Sequence, residues 1–320
     1  MNRSNHKKQK GLWLWSLAFI ILVILSLRTG AYTGQGQAVT IDIFWLTRVP
    51  RTIALVISGM AMALSGLILQ LLTQNRFVEP STNGTTEWAG LGLMCSYGFW
   101  PNSPIFFKMC IAIVFSLGGT WLFLWVLSRL RMRSTLIVPL VGMMIGSVVS
   151  AISSYIALTL NLSQTLEVWF SASFASMQEG RYELLWLILV VIFFIYRLAD
   201  RLTVTSLGKN MATNLGVDYE KILWWGSALT AVAVGIVATV VGNIPFIGLI
   251  VPNLLFLMRG DDLKSNLLWI MLMGANILLA CDLLARTIVA PLEFPISIIL
   301  SLIGASVFLF ILIKHRRRLT

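Results

Sequence analysis

The chain has little charge and few side chains suited to covalent chemistry. Of its 320 residues, 12% are charged and two are histidines. His6 lies in a basic N-terminal stretch and His315 in a basic C-terminal one, so neither is placed with an acid or a serine that would make it a catalytic base. The sequence therefore predicts no catalytic residue and argues against a hydrolase acting inside a membrane.

Cysteine is scarce, and a phosphate-binding loop is missing. Cys95, Cys110 and Cys281 all fall within apolar runs without metal-ligand spacing, which excludes a disulfide framework and predicts no metal site. Residues 206–210 contain a Gly-Lys pair but lack the first glycine and the hydroxyl residue of the P-loop. We expect this chain to bind no cofactor and to hydrolyse no ATP by itself.

Apolar residues dominate the composition instead. They make up 58% of the chain, with a mean hydropathy of +0.85, more than a soluble core could bury, so the bilayer must be the solvent. Continuous apolar runs predict an all-α integral membrane fold, a single polytopic domain over 1–320 with about ten transmembrane helices. The runs are 12–27, 53–72, 84–100, 105–127, 136–160, 184–198, 222–241, 245–258, 267–290 and 295–313.

The positive charge is distributed asymmetrically between the loops. With the N-terminus inside, eighteen of the 24 Lys and Arg residues fall in inner segments, which predicts cytoplasmic N- and C-termini, a basic cytoplasmic tail over 1–10 and a long cytoplasmic loop over 199–221. The net charge of +11 is explained by this topology and by anionic membrane lipid. Nucleic-acid binding is not expected.

Three segments depart from plain membrane helices. The first, 48–92, joins Arg48-Val49-Pro50-Arg51 to a helix rich in small residues, then to a polar turn at 74–80 and a Gly-rich run that begins near Gly84. This segment predicts a packed helix bundle around a translocation path rather than a single membrane anchor. The reasons are its charged start with a proline, its close-packing helix and the polar break after that helix.

The second segment is 207–216, in the long inner loop. Gly208, Ala212 and Gly216 recur every four residues, which predicts a short helix with one smooth side that a soluble partner could approach, ended by Gly216. A small amphipathic helix resting on the membrane is the alternative. The third segment, 242–253, holds Pro245, Pro252 and two glycines, which predict a broken helix beside a conduit or a kinked structural helix.

Ionisable residues inside the predicted spans are few. Glu87, Asp282 and Arg286 are the clear candidates. Asp282 and Arg286 lie four residues apart, so an i,i+4 ion pair is one interpretation, and a docking role for Arg286 is another. On the outer side, the apolar spacing in 164–180 predicts a short helix on the membrane surface.

These segments resemble the permease subunits of bacterial iron-siderophore, haem and cobalamin ABC importers, the FecCD family. The resemblance runs from about Arg48 to the C-terminus. The family's Arg-Leu-Pro-Arg and Asn-Pro-Leu-Ala-Asp/Glu-Pro motifs match 48–51 and 75–80, and its Leu-Gly-x-x-x-Ala-x-x-Leu-Gly loop stands unaltered at 207–216. Its Gly-Phe-Ile/Val-Gly-Leu-x-x-Pro-His segment matches 245–253, and its Asp-x-x-Ala-Arg matches 282–286.

The resemblance implies a type II importer with a cobalamin-permease-like fold in the bacterial cell membrane. It implies a second permease subunit, two ATPase subunits that use ATP and Mg²⁺, an outer siderophore-binding protein, and ferric siderophore as cargo. Arg48 and Arg286, followed by Arg51, would dock the binding protein. The residues that would couple to the ATPase are Leu207, Gly208, Ala212, Leu215 and Gly216. The residues that would line or gate the path are Asn75, Pro80, Gly84, Pro245, Gly248, Pro252 and Asn253.

The chain departs from the family pattern at three places. Asn253 replaces the usual His, Pro245 replaces the first Gly, and Arg76-Phe77-Val78 replaces Pro-Leu-Ala. These variants look like the branch serving petrobactin and anguibactin, and that branch favours a heterodimer of permeases over a homodimer. The rival hypothesis is a secondary transporter coupled to protons or sodium, for which Glu87 and Asp282 would be the essential acids.

Overall fold

The computed structural model describes residues 2–30, 44–130, 137–260, 262–288 and 292–316, and in these ranges the regular structure is helical. The all-α fold class is confirmed. We number the α-helices in chain order. They are α1 Asn2–Arg28, α2 Val49–Thr73, α3 Thr85–Phe99, α4 Ile105–Arg129, α5 Ile137–Thr159, α6 Ser163–Ser171, α7 Leu187–Thr205, α8 Lys209–Asn214, α9 Tyr219–Val240, α10 Ile247–Arg259, α11 Leu263–Thr287 and α12 Ile296–Arg316.

Within the described ranges, six helical segments are long and apolar enough to cross a bilayer. They are Gly11–Arg28, Phe44–Thr73, Ile105–Arg129, Ile137–Thr159, Tyr219–Val240 and Leu263–Thr287. The remaining predicted spans correspond to α3, α7, α10 and α12, which are shorter or more polar. The number of about ten spans therefore stays a prediction.

The predicted basic tail over 1–10 is helical where the structure describes it. α1 begins at Asn2, so residues 2–10 belong to the first helix, whereas Met1 lies outside the described residues.

Helix α2 forms the centre of the bundle. It packs against α9, α10 and α11, and nearly all of its residues from Pro50 to Leu72 are buried. Small residues permit this packing, because a side-chain carbon added at Gly59 would overlap the backbone at Gly274, and one at Gly66 would overlap the backbone at Gly248. The prediction of a close-packed helix in this region is confirmed.

The two ends of α2 define two ends of the bundle. Its 25 residues span about 37 Å at 1.5 Å per residue. We call the end where α2 begins the Arg51 end. At the other end, a side chain placed on Gly208 would lie 3.5 Å from the amide of Gln74; we call this the Leu207 end.

The chain after α2 turns back into the bundle. α2 ends at Gln74 in the left-handed conformation with φ 50°, and the irregular residues Val78, Glu79 and Asn83 are almost completely buried. The hydroxyl of Thr85, where α3 begins, lies 2.7 Å from that of Thr120, in the second half of α4. The predicted polar turn is thus part of a re-entrant segment (74–84) that lies inside protein, where irregular backbone can be satisfied.

The helix predicted over 164–180 is shorter in the structure than expected, and its location on the outer surface stays a prediction. The helix α6 ends at Ser171, followed by Ala172 with φ 45°. Trp169 is buried, and its indole Nε1 donates a 2.9 Å hydrogen bond to the carbonyl of Ala238 at the end of α9. The indole of Trp169 thus fixes α6 to α9.

Candidate translocation and coupling sites

The re-entrant segment and the start of α10 form one junction. The amide of Asn253 donates to the carbonyl of Arg76 over 2.9 Å, and the backbone N–H of Phe246 donates to Glu79 Oε1 over 3.0 Å. A side chain on Gly248 would come within 3.0 Å of Pro80. The residues predicted to line or gate the path come from two distant parts of the sequence, and the structure brings members of both parts together here.

Pro252 explains a cross-helix hydrogen bond at this junction. A proline has no N–H, so the carbonyl four residues earlier in α10, that of Gly248, loses its helical donor. The side-chain amide of Gln70 in α2 donates to that carbonyl over 3.3 Å. The proline that interrupts α10 thereby ties it to the central helix, and Gln70 is a residue that the sequence analysis missed.

Glu79 is the second residue of the junction that the sequence analysis missed. Its residue surface is 1% exposed, and its Oε1 also accepts a 2.5 Å hydrogen bond from the hydroxyl of Ser81. Since Phe246 immediately precedes α10, the carboxylate caps the N-terminus of that helix, where a negative charge is favourable. Elsewhere in the junction, the side-chain amide of Asn253 donates to the carbonyl of Arg76. Both residues depart from the family pattern.

Gly84 anchors the far side of the re-entrant segment. It has φ 86°, a conformation that only glycine adopts readily. It faces Gly142 and Gly146 of α5, and an added carbon at Gly142 would overlap the backbone of Thr82. Glu87 in the first turn of α3 points to the same face of α5, since its carboxylate would lie 3.5 Å from a side chain on Gly146.

A charged cluster closes the Arg51 end. One guanidinium nitrogen of Arg51 is 2.8 Å from Asp282 and the other is 2.9 Å from Glu293. Arg286 forms an i,i+4 ion pair with Asp282 at 2.5 Å and donates to the carbonyl of Thr29 beyond α1. The predicted ion pair is confirmed, and the cluster joins α1, α2, α11 and the segment before α12.

The exposure of the three candidate docking arginines differs from our expectation. Arg286 is 8% exposed and therefore buried, because its guanidinium is held among Asp282 and the end of α1. Its guanidinium is therefore little accessible in the single chain, and its role in docking stays a prediction. Arg51 is half-buried, and Arg48, with one nitrogen 3.4 Å from the carbonyl of Leu27, is also half-buried.

The helix α8 presents a different face from the one expected. Gly208 and Gly216 flank the helix with φ 95° and 78°, and Ala212 is completely buried against the bundle. The small residues therefore face inward. The outward face is apolar and consists of Leu207, Met211 and Leu215, which are 57%, 55% and 60% exposed. Met211 is a third residue that the sequence analysis missed.

Charged pairs fix the ends of this loop. Lys209 Nζ lies 2.6 Å from a carboxylate oxygen of Glu220, and this hydrogen bond raises the pKa of Lys209. Asp218 caps α9 by accepting from the backbone N–H of Lys221, and its hydrogen bonds with Lys221 lower the pKa of Asp218. These two pairs hold α8 at the start of α9 and leave its apolar face exposed.

Sequence comparison identifies relatives along almost the entire chain. A petrobactin import system permease protein, FatD of Bacillus anthracis, is 48% identical over 98% of this chain and 94% of its own length. YclN of Bacillus subtilis, another petrobactin import system permease, is 37% identical over 93% and 97%. The ferric-anguibactin transport system permease FatD of Vibrio anguillarum is 34% identical over 93% and 97%.

Solved structures give the same assignment. A metal-chelate type ABC transporter in an inward-facing conformation superposes with a TM-score of 0.82 at 28% identity, covering 96% of this chain and 99% of that one. The model of the FecCD transport family matches residues 12–314. Together with the loop at 207–216 and the junction of 74–84 with α10, these matches show that the chain belongs to the FecCD transport family.

Proposed function

We propose that this chain is the permease subunit of an ATP-driven importer that moves a ferric siderophore into the cytoplasm by alternating access. The names of its relatives supply the substrate class. The observation that carries the proposal is the apolar outward face of α8, Leu207, Met211 and Leu215, at the end of the bundle opposite the charged Arg51 cluster. An exposed apolar patch of this kind on a polar loop suits a protein partner.

In this mechanism the chain performs no covalent chemistry. Two ATPase subunits bind ATP and Mg²⁺ and contact α8. The ion pair of Lys209 with Glu220 fixes α8 relative to α9. A displacement of α8 reaches the junction through Gln74, which lies beside Gly208 and begins the re-entrant segment. The junction of that segment with α10 then shifts as one unit, which opens or closes the path at mid-bundle depth.

The Arg51 end would receive the siderophore-binding protein. Arg48 and Arg51 are half-buried at this end, and guanidinium groups suit carboxylates on an acidic docking surface. Buried Arg286 would contribute by holding Asp282 and the end of α1 in place. The Leu207 end would then be cytoplasmic, with both chain termini on that side, and a second, different permease subunit would complete the path.

The decisive experiment tests the α8 face. Leu215→Ala and Met211→Ala should weaken co-purification with the ATPase and lower ATP hydrolysis by the complex, because they remove apolar contact area without disturbing buried residues. Leu268→Ala, at a residue of α11 that is 50% exposed, is the matched control and should leave both unchanged. If the unaltered chain associates with no ATPase, the proposed function fails.

The rival, an ion-coupled secondary transporter, would use Glu87 and Asp282. Asp282 is held by two guanidinium groups, which suits a structural role better than ion transfer. The same reconstituted system separates the hypotheses. Uptake that persists without ATPase and collapses with an uncoupler would establish the rival, whereas uptake that requires ATP and resists the uncoupler supports the importer.

A further inference from the structure

A cavity of about 320 Å³ lies between α3, α6 and the end of α9. Its floor is near Trp169, whose ring meets Gly90 of α3 and whose Nε1 is bonded to Ala238. The polar residues that line it are Tyr97, Gln164, Thr165, Ser173, Ser176, Arg181 and Thr239. The cavity is separate from the Arg51 cluster and from α8, and neither docking nor coupling as described above uses it.

The lining is suited to an anion. Among the described residues, Arg181 is the one charged residue of the lining, and no Asp or Glu of those ranges lines it. Ser173 Oγ accepts a hydrogen bond from the backbone N–H of Ala175, which leaves its own proton available to donate. Hydroxyl, amide and guanidinium donors thus surround a space without an acidic competitor, and oxyanions bind such sets of donors strongly.

Arg181 has no ion pair or side-chain hydrogen bond within the described parts of the chain. Nearby Glu183 instead accepts a 2.6 Å hydrogen bond from the backbone N–H of Gly180. An arginine that is half-buried at a cavity, without an acidic partner, is a common feature of sites that recognise carboxylate or phenolate groups.

The remaining walls of the cavity are apolar and aromatic. They include Leu93, Met94, Val168 and the ring of Tyr97. The ammonium of Lys108, which belongs to α4, lies 4.0 Å from the centre of the Tyr97 ring. A volume of about 320 Å³ is at the lower end of ligand pockets, which run from roughly 300 to 1,000 Å³. It would therefore hold one arm of a large chelate.

We propose that this cavity is a transient subsite for an anionic, aryl-bearing arm of the ferric chelate, with Arg181 as the residue that binds its carboxylate or phenolate oxygen. This inference rests on the proposed function, since it supplies a contact between the permease and the cargo of that importer. One charge-assisted contact is enough to bind the chelate briefly after its release from the binding protein. A single arginine, without a metal or a closed pocket, would not bind it tightly enough to prevent its further transport.

The test uses the complete transporter in nanodiscs or liposomes, with its ATPase, binding protein and partner permease, and ferric petrobactin labelled with radioactive iron as the probe. Arg181→Met should lower the rate of uptake roughly tenfold, the effect of losing one charged hydrogen bond. Arg181→Lys should recover part of the rate. Basal ATP hydrolysis and the affinity for the loaded binding protein should remain unchanged.

Arg28→Met is the control for a simple loss of positive charge, since Arg28 is exposed near the Arg51 end and does not line the cavity. Unchanged uptake by Arg181→Met would overturn the proposal. An equal effect of both variants, or a weakened affinity for the binding protein, would assign Arg181 to docking and would also overturn it. A wild-type complex without ATP-dependent uptake would refute the proposed function itself, a result distinguishable from either of these.

Discussion

At the scale of single residues, glycines decide how closely the helices approach. Gly66 of α2 and Gly248 of α10 touch backbone to backbone, and such small-residue contacts replace the hydrophobic driving force that is missing between helices in lipid. Gly118, in the middle of α4, has no atom within 4 Å of the position that a side-chain carbon would occupy. The two positions therefore offer a matched comparison of the same substitution.

Gly66→Ala should lower the thermal stability of the purified chain, whereas Gly118→Ala should leave it unchanged or raise it slightly. The added methyl at position 66 meets backbone that cannot turn aside, and overpacking of this kind costs about 1–3 kcal/mol. Alanine at position 118 only favours the helix, by up to about 1 kcal/mol. Melting curves in one detergent measure both, and equal stabilities would contradict the contact with Gly248.

The buried charged cluster is also decided by individual residues. Asp282→Asn would leave the guanidinium groups of Arg51 and Arg286 without the carboxylate between them. Breaking a buried pair in this way destabilises by roughly 3–5 kcal/mol. We expect the double variant Asp282→Leu/Arg286→Met to be more stable than Asp282→Asn alone, since it removes both charges.

Equilibrium denaturation of the two variants measures this difference. Glu220→Gln breaks the exposed pair with Lys209 and should produce no measurable change, because surface pairs contribute little. If Asp282→Asn were as stable as the parent chain, the cluster would be a surface feature and its role in fixing α1 to α11 would be refuted.

At the scale of elements, α10 depends on α2 for a hydrogen bond that its own proline removes. Pro252 deprives the carbonyl of Gly248 of its helical donor, and Gln70 supplies another over 3.3 Å. Two separate features of the sequence, an interrupted helix and a polar residue in an apolar one, thus have a single physical explanation.

This explanation predicts coupling between the two residues in a double-mutant cycle. Gln70→Leu should destabilise the parent chain by about 1–3 kcal/mol, because a buried carbonyl loses its donor. In a Pro252→Ala background, the new N–H satisfies that carbonyl and the same substitution should have a smaller effect. Additive changes in the free energy of unfolding would show that Gln70 and Pro252 act independently.

At the scale of the whole molecule, the core of the chain leaves no room for cargo along α2. In the window of α2 that would span the membrane, 83% of the residues are buried, and the Gly66 contact closes the space between α2 and α10. We therefore expect the path for a ferric chelate to run along the surface of the chain and a second subunit to enclose it.

We expect native mass spectrometry of the intact importer to show one copy of this chain, one copy of a second permease and two ATPase subunits. Co-expression with each neighbouring permease gene, followed by affinity purification through this chain alone, would supply the sample. The control is this chain expressed with the ATPase only, which should give little stable complex. A stable complex containing two copies of this chain would contradict the heterodimer.

The sequence by itself determined the chemical class of this protein. The apolar composition required membrane helices, the missing P-loop predicted that another chain hydrolyses ATP, and the unaltered loop at 207–216 indicated the family. It also predicted that Asp282 and Arg286 pair, because residues four apart share a helix face. These conclusions depend either on the spacing of nearby residues or on the need of apolar segments for a lipid environment. Both are properties of the sequence itself.

Only the tertiary structure decided which face each element presents. The outward face of α8 proved to be Leu207, Met211 and Leu215, Arg286 proved to be buried, and the re-entrant segment proved to lie against α10. In a membrane protein, lipid-facing and core-facing positions are both apolar, so periodicity alone cannot distinguish them. Contacts between distant segments, such as that of Glu79 with Phe246, appear only when the helices pack.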